Sequence, residues 1–597
     1  MKKAGLWMAV YLLLNTLLIN GLHSQTIASQ IAQVENNLAG RLIINGKPYN
    51  LQDRMRYYHV KGLSIAVINN YQMVWAKGYG WANEKEQRPV TTNTLFKPGS
   101  ISKTLNALGV LKLVQEKQLS LDKDINEYLT SWKFPYDSLS KGKKINLAHL
   151  LSHTGGLSVY GGFPGYSPNE KLPTIPEILD GKAPANTPAV RSLFEPGLQF
   201  QYSGGGTIIS QLILTENSHQ SYEKFMYNRV LKPLGMLNSF YSAAPPTKQI
   251  LNKIATGYTK NGDTVAATFR VYPEQAPLGL WTTPTELAKY LIETQLSYKG
   301  RSSKLLNQEM TRLHLTPFID QSAAMGVFTL DKNGERYFFH DAANEGFRGM
   351  FYGSLDGGNG VIVFVNSDDG DIILELLASV ANVYDWKGFD KPQNIHTIQI
   401  SDSVAAKYVG SYLYDGVLAE VTKKEDGLYY WTQGQDVKMY FTSEKDFVNM
   451  EFLAEKSFLT NLNGTVTGFA RKVNGKEFSP AQKLVSLDTI KTNEGQLNSY
   501  AWHLIETKRF QAAIPNLQRA MVLEPQDISV QLNLAHAYLW NQDFQKAVTV
   551  YQSYLAINNM DSSTLKKNIL QDFEYFEKMG FDKSTMEKLI LALKLKS

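Results

Sequence analysis

Apolar residues change their spacing along this chain, and each spacing predicts a different kind of structure. Lys2 and Lys3 precede an apolar run from Leu6 to Ile19, which Gly21-Leu22-His23-Ser24 closes. A charged start, a short apolar core and a small-residue exit predict a cleavable export signal over residues 1–24, cut near Ser24–Gln25. The run is shorter than the ~20 residues of a spanning helix, and Asn15 interrupts it. The expectation is an exported chain, periplasmic or secreted, with no stable transmembrane span after signal removal. From Ile27 to Val383 helical and extended spacings then alternate. Leu105 to Lys117 and Pro284 to Gln295 carry helical spacing, while Leu63 to Asn69, Met73 to Tyr79 and Gly360 to Asn366 are runs rich in β-branched and aromatic residues. Loops at Tyr160 to Gly165 and Ala243 to Pro246 punctuate them. This pattern predicts an α/β (α+β) domain over residues 25–385.

Over residues 404–486 the texture changes to short aromatic and β-branched runs at 418–422, 428–432, 438–442 and 466–472. The pairs Asp426-Gly427, Asn463-Gly464 and Asn474-Gly475 lie among them, and such pairs are strong hairpin signals. A small antiparallel β domain or barrel follows from this, with nothing catalytic in it. Over residues 490–597 the chain becomes helical and repeats itself. Ala501 recurs as Ala535, Phe510 as Phe544, Ala513 as Ala547 and Leu517 as Tyr551, always 34 positions on. That is the tetratricopeptide period, with Pro525 where the first unit should end and Leu565 to Leu595 left to form a capping helical pair. Small alanines let paired helices approach, so an all-α helical-repeat module is expected, able to hold a protein partner.

Composition narrows the function classes. The 597 residues are too many for one core, and 43% hydrophobic with 19% charged is the balance of a soluble globular protein. A formal charge of +6 with no Lys/Arg-dense stripe argues for no nucleic-acid partner. The absence of cysteine removes disulfides, thiolate nucleophiles, cysteine zinc sites and a lipidated N-terminal cysteine. Ten histidines without a His-Glu-x-x-His motif give no expectation of a catalytic metal or other cofactor.

The candidate chemistry centres on Phe96-Lys97-Pro98-Gly99-Ser100-Ile101-Ser102-Lys103. Ser-x-x-Lys alone is a poor signal, because Ser120, Ser138, Ser140, Ser221 and Ser563 begin others. Context separates Ser100. Pro98-Gly99 makes a turn, and an almost wholly apolar helix through Leu105, Leu108 and Leu111 follows at once. Ser100 would open a buried helix, where free N–H groups and the dipole favour negative charge. Lys103, one turn on, shares its face and in a dry pocket would have the lowered pKa of a base. The same spacing also fits a plain N-cap serine with an ordinary lysine behind it.

Two further segments carry a resemblance. Leu150-Leu151-Ser152-His153-Thr154-Gly155-Gly156-Leu157 and Tyr202-Ser203-Gly204-Gly205-Gly206, in that order after Ser-x-x-Lys, resemble the penicillin-recognising serine hydrolases, above all the class C-like β-lactamase and esterase group. Phe339 to Arg348 would be the Lys/His-x-Gly strand, and Pro277 to Pro284 resembles a helix-start segment of the group. The resemblance implies a serine β-lactamase/transpeptidase-like fold. It also implies Ser100 as nucleophile and Lys103 with Tyr202 as general base and acid. The backbone N–H groups of Ser100 and Ala343 would form the oxyanion hole, with His340 a hydrogen-bond donor in the place often held by lysine. The cation of Lys103 would lower the Tyr202 pKa, although taken alone Tyr202 reads first as an aromatic packed under a glycine turn. His153 reads as structural. Two positions depart from the pattern: Gly204 stands where the family has Asn, and His340-Asp341-Ala342 replaces Lys/His-x-Gly. Asp341 would repel a substrate carboxylate and the Ala342 methyl would crowd the ligand. An esterase or D-amino-acid peptidase is therefore expected before an efficient β-lactamase. Its substrate would be a small molecule, a peptide or a peptidoglycan fragment. The alternative is a catalytically degenerate scaffold acting through its helical repeats.

Overall fold

The computed structural model describes residues 26–38, 42–243, 247–265, 269–389, 391–414, 417–432, 435–449, 455–473, 476–484, 494–525, 527–556 and 562–595. The expected export signal, the Asn474-Gly475 turn and the end of the Ala243 to Pro246 loop lie outside the described residues. The chain divides into two compact units, one of residues 1–41 and 47–392 and one of residues 42–46 and 393–597.

The first unit is built on an antiparallel seven-stranded sheet. Its strands are β1 (Gly62–Asn69), β2 (Gln72–Asn83), β3 (Arg88–Pro89), β4 (Phe328–Lys332), β5 (Glu335–Asn344), β6 (Phe347–Ser354) and β7 (Gly360–Val365). They lie in the order β3-β2-β1-β7-β6-β5-β4, so early and late parts of the chain meet where Leu63 pairs with Val365. The two central strands are apolar on both faces, which is why they read as continuous β-branched runs. Leu63, Ile65 and Val67 point to a layer containing α1 (residues 26–36), α2 (Leu51–Tyr57) and α7 (Asp371–Val383). Ala66 and Ile68 point the other way, to a core holding α3 (Ile101–Gln115), α4 (Leu147–Leu151), α5 (Gly204–Ser218) and α6 (Pro284–Tyr298). β4 pairs with β5 only from Glu335 to Phe339, leaving the edge of β5 open from His340 to Asn344. That opening is where the candidate site lies.

Helix α3 has no exposed stripe, as its largely apolar sequence predicts: every residue from Ile101 to Leu111 is buried. Its polar side chains are all matched. Thr104 donates to the Gly326 carbonyl at 2.8 Å, and Asn106 donates to Ser210 at 2.8 Å while accepting from Tyr222 at 2.9 Å. Among the described residues no helix is long and apolar enough to cross a membrane.

In the second unit, strand Leu42–Ile44 pairs in parallel with Gln393–Ile395. Nine further strands form an antiparallel sheet whose first strand, Gly410–Tyr414, pairs with its last, Lys476–Lys483. Its two edges, Gln435–Lys438 and Tyr440–Phe441, are separated by Met439 alone, which gives the sheet a barrel-like course. The expected single run at 438–442 is thus split between two edges. Six helices follow, α8 (Glu494–Glu506), α9 (Phe510–Leu523), α10 (Ile528–Trp540), α11 (Phe544–Leu555), α12 (Ser562–Lys578) and α13 (Lys583–Leu593). Ala501, Ala513, Ala535 and Ala547 all have zero exposure, as the repeat of small residues predicts for close helix pairs.

Sheet and helices of this unit meet at Glu420. Its carboxylate accepts from Arg509 through both oxygens and from His503 Nε2 at 3.2 Å, and His503 stacks on Trp431 at 4.2 Å. Burial pushes the Glu420 carboxyl up, but the His503 and Arg509 hydrogen bonds outweigh it and hold it at about 2. A folded-state pKa below the unfolded value contributes stability above about pH 4.5 that is lost as pH falls toward 2. Glu420→Gln should destabilise this unit by about 2 kcal/mol, discounted for the partly exposed Arg509, and should flatten the acid limb of its unfolding curve, followed by Trp431 fluorescence.

Candidate active site

The site begins with a close approach of two backbones. Gly99 has φ +55°, and a Cβ there would lie 2.6 Å from the Ala343 carbonyl oxygen and 3.2 Å from its nitrogen. Only glycine takes both the left-handed conformation and the contact without strain. The contact sets the start of α3 against the open edge of β5. Because the Ala343 carbonyl faces Gly99, the N–H of the same residue faces that way too and is free of β6. The Ser100 N–H has no acceptor among the described residues. The free N–H of Ser100 thus lies next to the strand edge that carries Ala343.

Ser100 precedes the first helical residue, and its hydroxyl makes no capping bond. Lys103, one turn on and 4% exposed, places Nζ 2.9 Å from Ser100 Oγ. A second contact, to the Pro277 carbonyl at 3.3 Å, aims the amine. In the segment before Pro277, Lys97 Nζ donates to the Arg270 carbonyl at 2.8 Å and lies over the Tyr272 ring. Sequence reasoning took Pro277 to Pro284 as a helix start and missed the carbonyl, which no side-chain motif could reveal.

Tyr202 stands over the same amine, with Lys103 Nζ 5.0 Å from its ring centre. His153 fixes it. The His153 carbonyl accepts from the Gln201 N–H at 2.7 Å, its Nδ1 accepts from the Ser203 N–H at 3.2 Å, and its ring lies 4.2 Å from the Tyr202 ring. His153 thus grips the residues on both sides of Tyr202. Ser203 caps α5, accepting from Gly206 N–H at 3.0 Å. At Gly204 a Cβ would fall 2.5 Å from the Phe163 ring, so Phe163 already occupies the room an asparagine would need. On the outer side Tyr160, 66% exposed, packs against Tyr202 at 5.2 Å.

Along β5, His340 and Ala342 are buried while Asp341 and Ala343 are exposed. The Ala342 methyl packs in the core beside α3, so the expectation that it crowds a ligand is corrected. His340 Nδ1 lies 2.6 Å from the Asp341 carbonyl, which can only accept, so Nδ1 carries the hydrogen. Burial holds this histidine neutral, with its pKa lowered to about 4, and its Nε2 is then an acceptor rather than the expected donor.

Burial also sets the other two groups. It lowers Lys103 to about 7, against a smaller upward pull from Asp341. It raises Tyr202, more than the hydrogen bond with Ser100 pulls it back, and Asp341 and Tyr160 raise it further. The expectation that Lys103 lowers the Tyr202 pKa is therefore corrected: desolvation wins, leaving a protonated phenol beside an amine that is half neutral near pH 7.

A model of the Beta-lactamase family matches residues 50–378, more than half of the chain and all of the site just described. The chain belongs to the beta-lactamase family. A tetratricopeptide repeat model matches residues 504–566. Among relatives, this beta-lactamase-family chain is 25% identical to Protein flp of Staphylococcus aureus (strain N315), over 52% of this chain and 60% of that protein. It is also 25% identical to Penicillin-binding protein 4* of Bacillus subtilis (strain 168), over 62% of this chain and 84% of that one. The chain thus spans only about 60% of the length of the first relative. Its fold is similar to the octameric penicillin-binding protein homologue from Pyrococcus abyssi, with TM-score 0.50 at 23% identity over 72% of this chain and 97% of that one.

The Gly99 contact makes a prediction for the site. Gly99→Ala should cost about 2 kcal/mol or more of stability, from the left-handed backbone and the clash with Ala343 together, as a fall in the unfolding temperature of the first unit.

Proposed function

We propose that this chain is an exported serine hydrolase that cleaves an ester or amide bond through an acyl-enzyme on Ser100. The observation that carries the reading is the Lys103 amine, 2.9 Å from Ser100 Oγ in a pocket dry enough to bring its pKa to about 7. A neutral amine there accepts the hydroxyl proton as Oγ attacks the carbonyl carbon. The N–H groups of Ser100 and Ala343 hold the oxyanion that forms. Tyr202, still protonated, gives its proton to the leaving oxygen or nitrogen as the bond breaks and regains one from the Lys103 ammonium. Water then attacks the acyl carbon, and the same groups return the protons in reverse order. His340, an acceptor at Nε2, suits an orienting partner for a phenol or substrate donor.

Asp341 bears on the substrate. A carboxylate within about 6 Å of another costs roughly 3 kcal/mol at an effective dielectric of about 20, a factor of about a hundred. The reading is therefore an esterase or peptidase that handles β-lactams poorly, although the name of the Bacillus relative speaks of penicillin binding. Purified protein should release p-nitrophenol from p-nitrophenyl acetate, and Ser100→Ala should abolish it with the fold intact. Tyr202→Phe should lower kcat by about a hundredfold or more. The kcat/KM profile should rise through a midpoint near pH 7, as Lys103 loses its proton, and stay level to pH 9 because Tyr202 remains protonated. Equal turnover by Ser100→Ala, or benzylpenicillin hydrolysed as fast as the ester, would defeat the reading. Export rests on the pattern of residues 1–24, and mass spectrometry of the exported protein should find Gln25 as its N-terminus.

A further inference from the structure

Outside the catalytic groups, one exposed carboxylate at the site makes no ion pair among the described residues. Asp341 lies two residues before Ala343 on the same exposed face of β5, about 7 Å along the strand. Its side chain has no cationic partner among the described residues. Two cations beside Ala343 are engaged: Arg348, opposite it on β6, by Asp368 at 2.8 Å, and Arg270 by Glu345 at 2.5 Å. Lys103, which feels the Asp341 charge, is itself losing its proton near pH 7.

A second feature adjoins Tyr202. Tyr160 offers an open aromatic face, and its ring packs on Tyr202. Asp341 and Tyr160 both act on the Tyr202 phenol, and Tyr202 is the group that protonates the leaving atom in the function proposed above. What flanks Tyr202 therefore flanks the leaving group. A carboxylate and an aromatic face are the two groups that proteins use to hold an organic cation.

We propose that Asp341 and Tyr160 form a leaving-group subsite for a cation, so that the enzyme prefers esters or amides whose departing alcohol or amine carries an ammonium group. This rests on the acyl-enzyme reading, and its test separates the two. Acetylthiocholine and its neutral carbon isostere, 3,3-dimethylbutyl thioacetate, differ in charge and hardly in shape. Both release a thiol, and a chain without cysteine adds no background to a thiol reagent. Rates are compared at pH 8.5, where Lys103 is neutral in wild type and variants alike.

The expected kcat/KM ratio of cationic to neutral thioester is about tenfold in the wild type, falling as salt is raised. Asp341→Asn should bring the ratio to about one, Asp341→Lys should invert it, and Tyr160→Leu should lower it about threefold. A wild-type ratio of one, or a ratio unmoved in Asp341→Asn, overturns the proposal. Calorimetric titration of the Ser100→Ala protein with acetylcholine and 3,3-dimethylbutyl acetate reads the preference without chemistry. Tighter binding of acetylcholine, lost on adding Asp341→Asn, upholds the cation subsite even if neither thioester is hydrolysed, in which case the acyl-enzyme reading alone falls. Equal binding of the two overturns the subsite.

Discussion

The site depends on one contact, the approach of Gly99 to the backbone of Ala343 at the open edge of β5. A helix N-terminus and a strand edge each carry unsatisfied N–H groups, and either alone would be filled by water. Held together, they bring the start of α3 and the open edge of β5 to one place. The approach needs a residue without Cβ in the left-handed region, and Pro98-Gly99 supplies it in the turn before α3. Everything after that turn follows from helical geometry, since Lys103 is brought to Ser100 by the rise of a single turn. The buried course of α3 then fixes the amine in a place water reaches poorly.

Desolvation, more than any ion pair, sets the protonation states here. It acts with opposite sign on an amine and a phenol, so one dry pocket yields a weaker base in Lys103 and a weaker acid in Tyr202. Near neutral pH the amine is thus partly free to take a proton, while the phenol still holds one. His340 follows the same rule. Neutral and tied through Nδ1 to its own neighbour's carbonyl, it brings no cation to the site, unlike a lysine in its place.

Much of this was legible in the sequence, for identifiable reasons. The repeat at 34 residues, the central strands and α3 announce themselves because periodic burial leaves periodic apolar residues, as at Ala501 and Ala535 or along Ile101 to Leu111. Ser100 and Lys103 were legible because their relation is local. Features made by distant segments were not. The Pro277 carbonyl, the Phe163 ring beside Gly204 and the hydrogen-bonded form of His340 depend on which backbone group lies across a gap, and no spacing encodes that. The edge strands of the β-rich unit were missed in part because strands as short as Tyr440–Phe441 leave too few residues to show alternation.

The departures from the family pattern gain meaning once they are placed. Gly204 and Asp341 do not fall at random around the site: neither touches the nucleophile, the amine or the two N–H donors. At Gly204 the missing amide is replaced by the bulk of Phe163, from the loop that also presents Tyr160, so a polar contact gives way to an aromatic wall. At Asp341 a carboxylate stands exposed on the strand that carries Ala343. Loss of function spread by drift would damage the groups that catalysis needs as readily as those around them. Here Ser100, Lys103 and Tyr202 keep their mutual contacts, and the changes lie around them. An altered choice of substrate explains that distribution better than an abandoned reaction does.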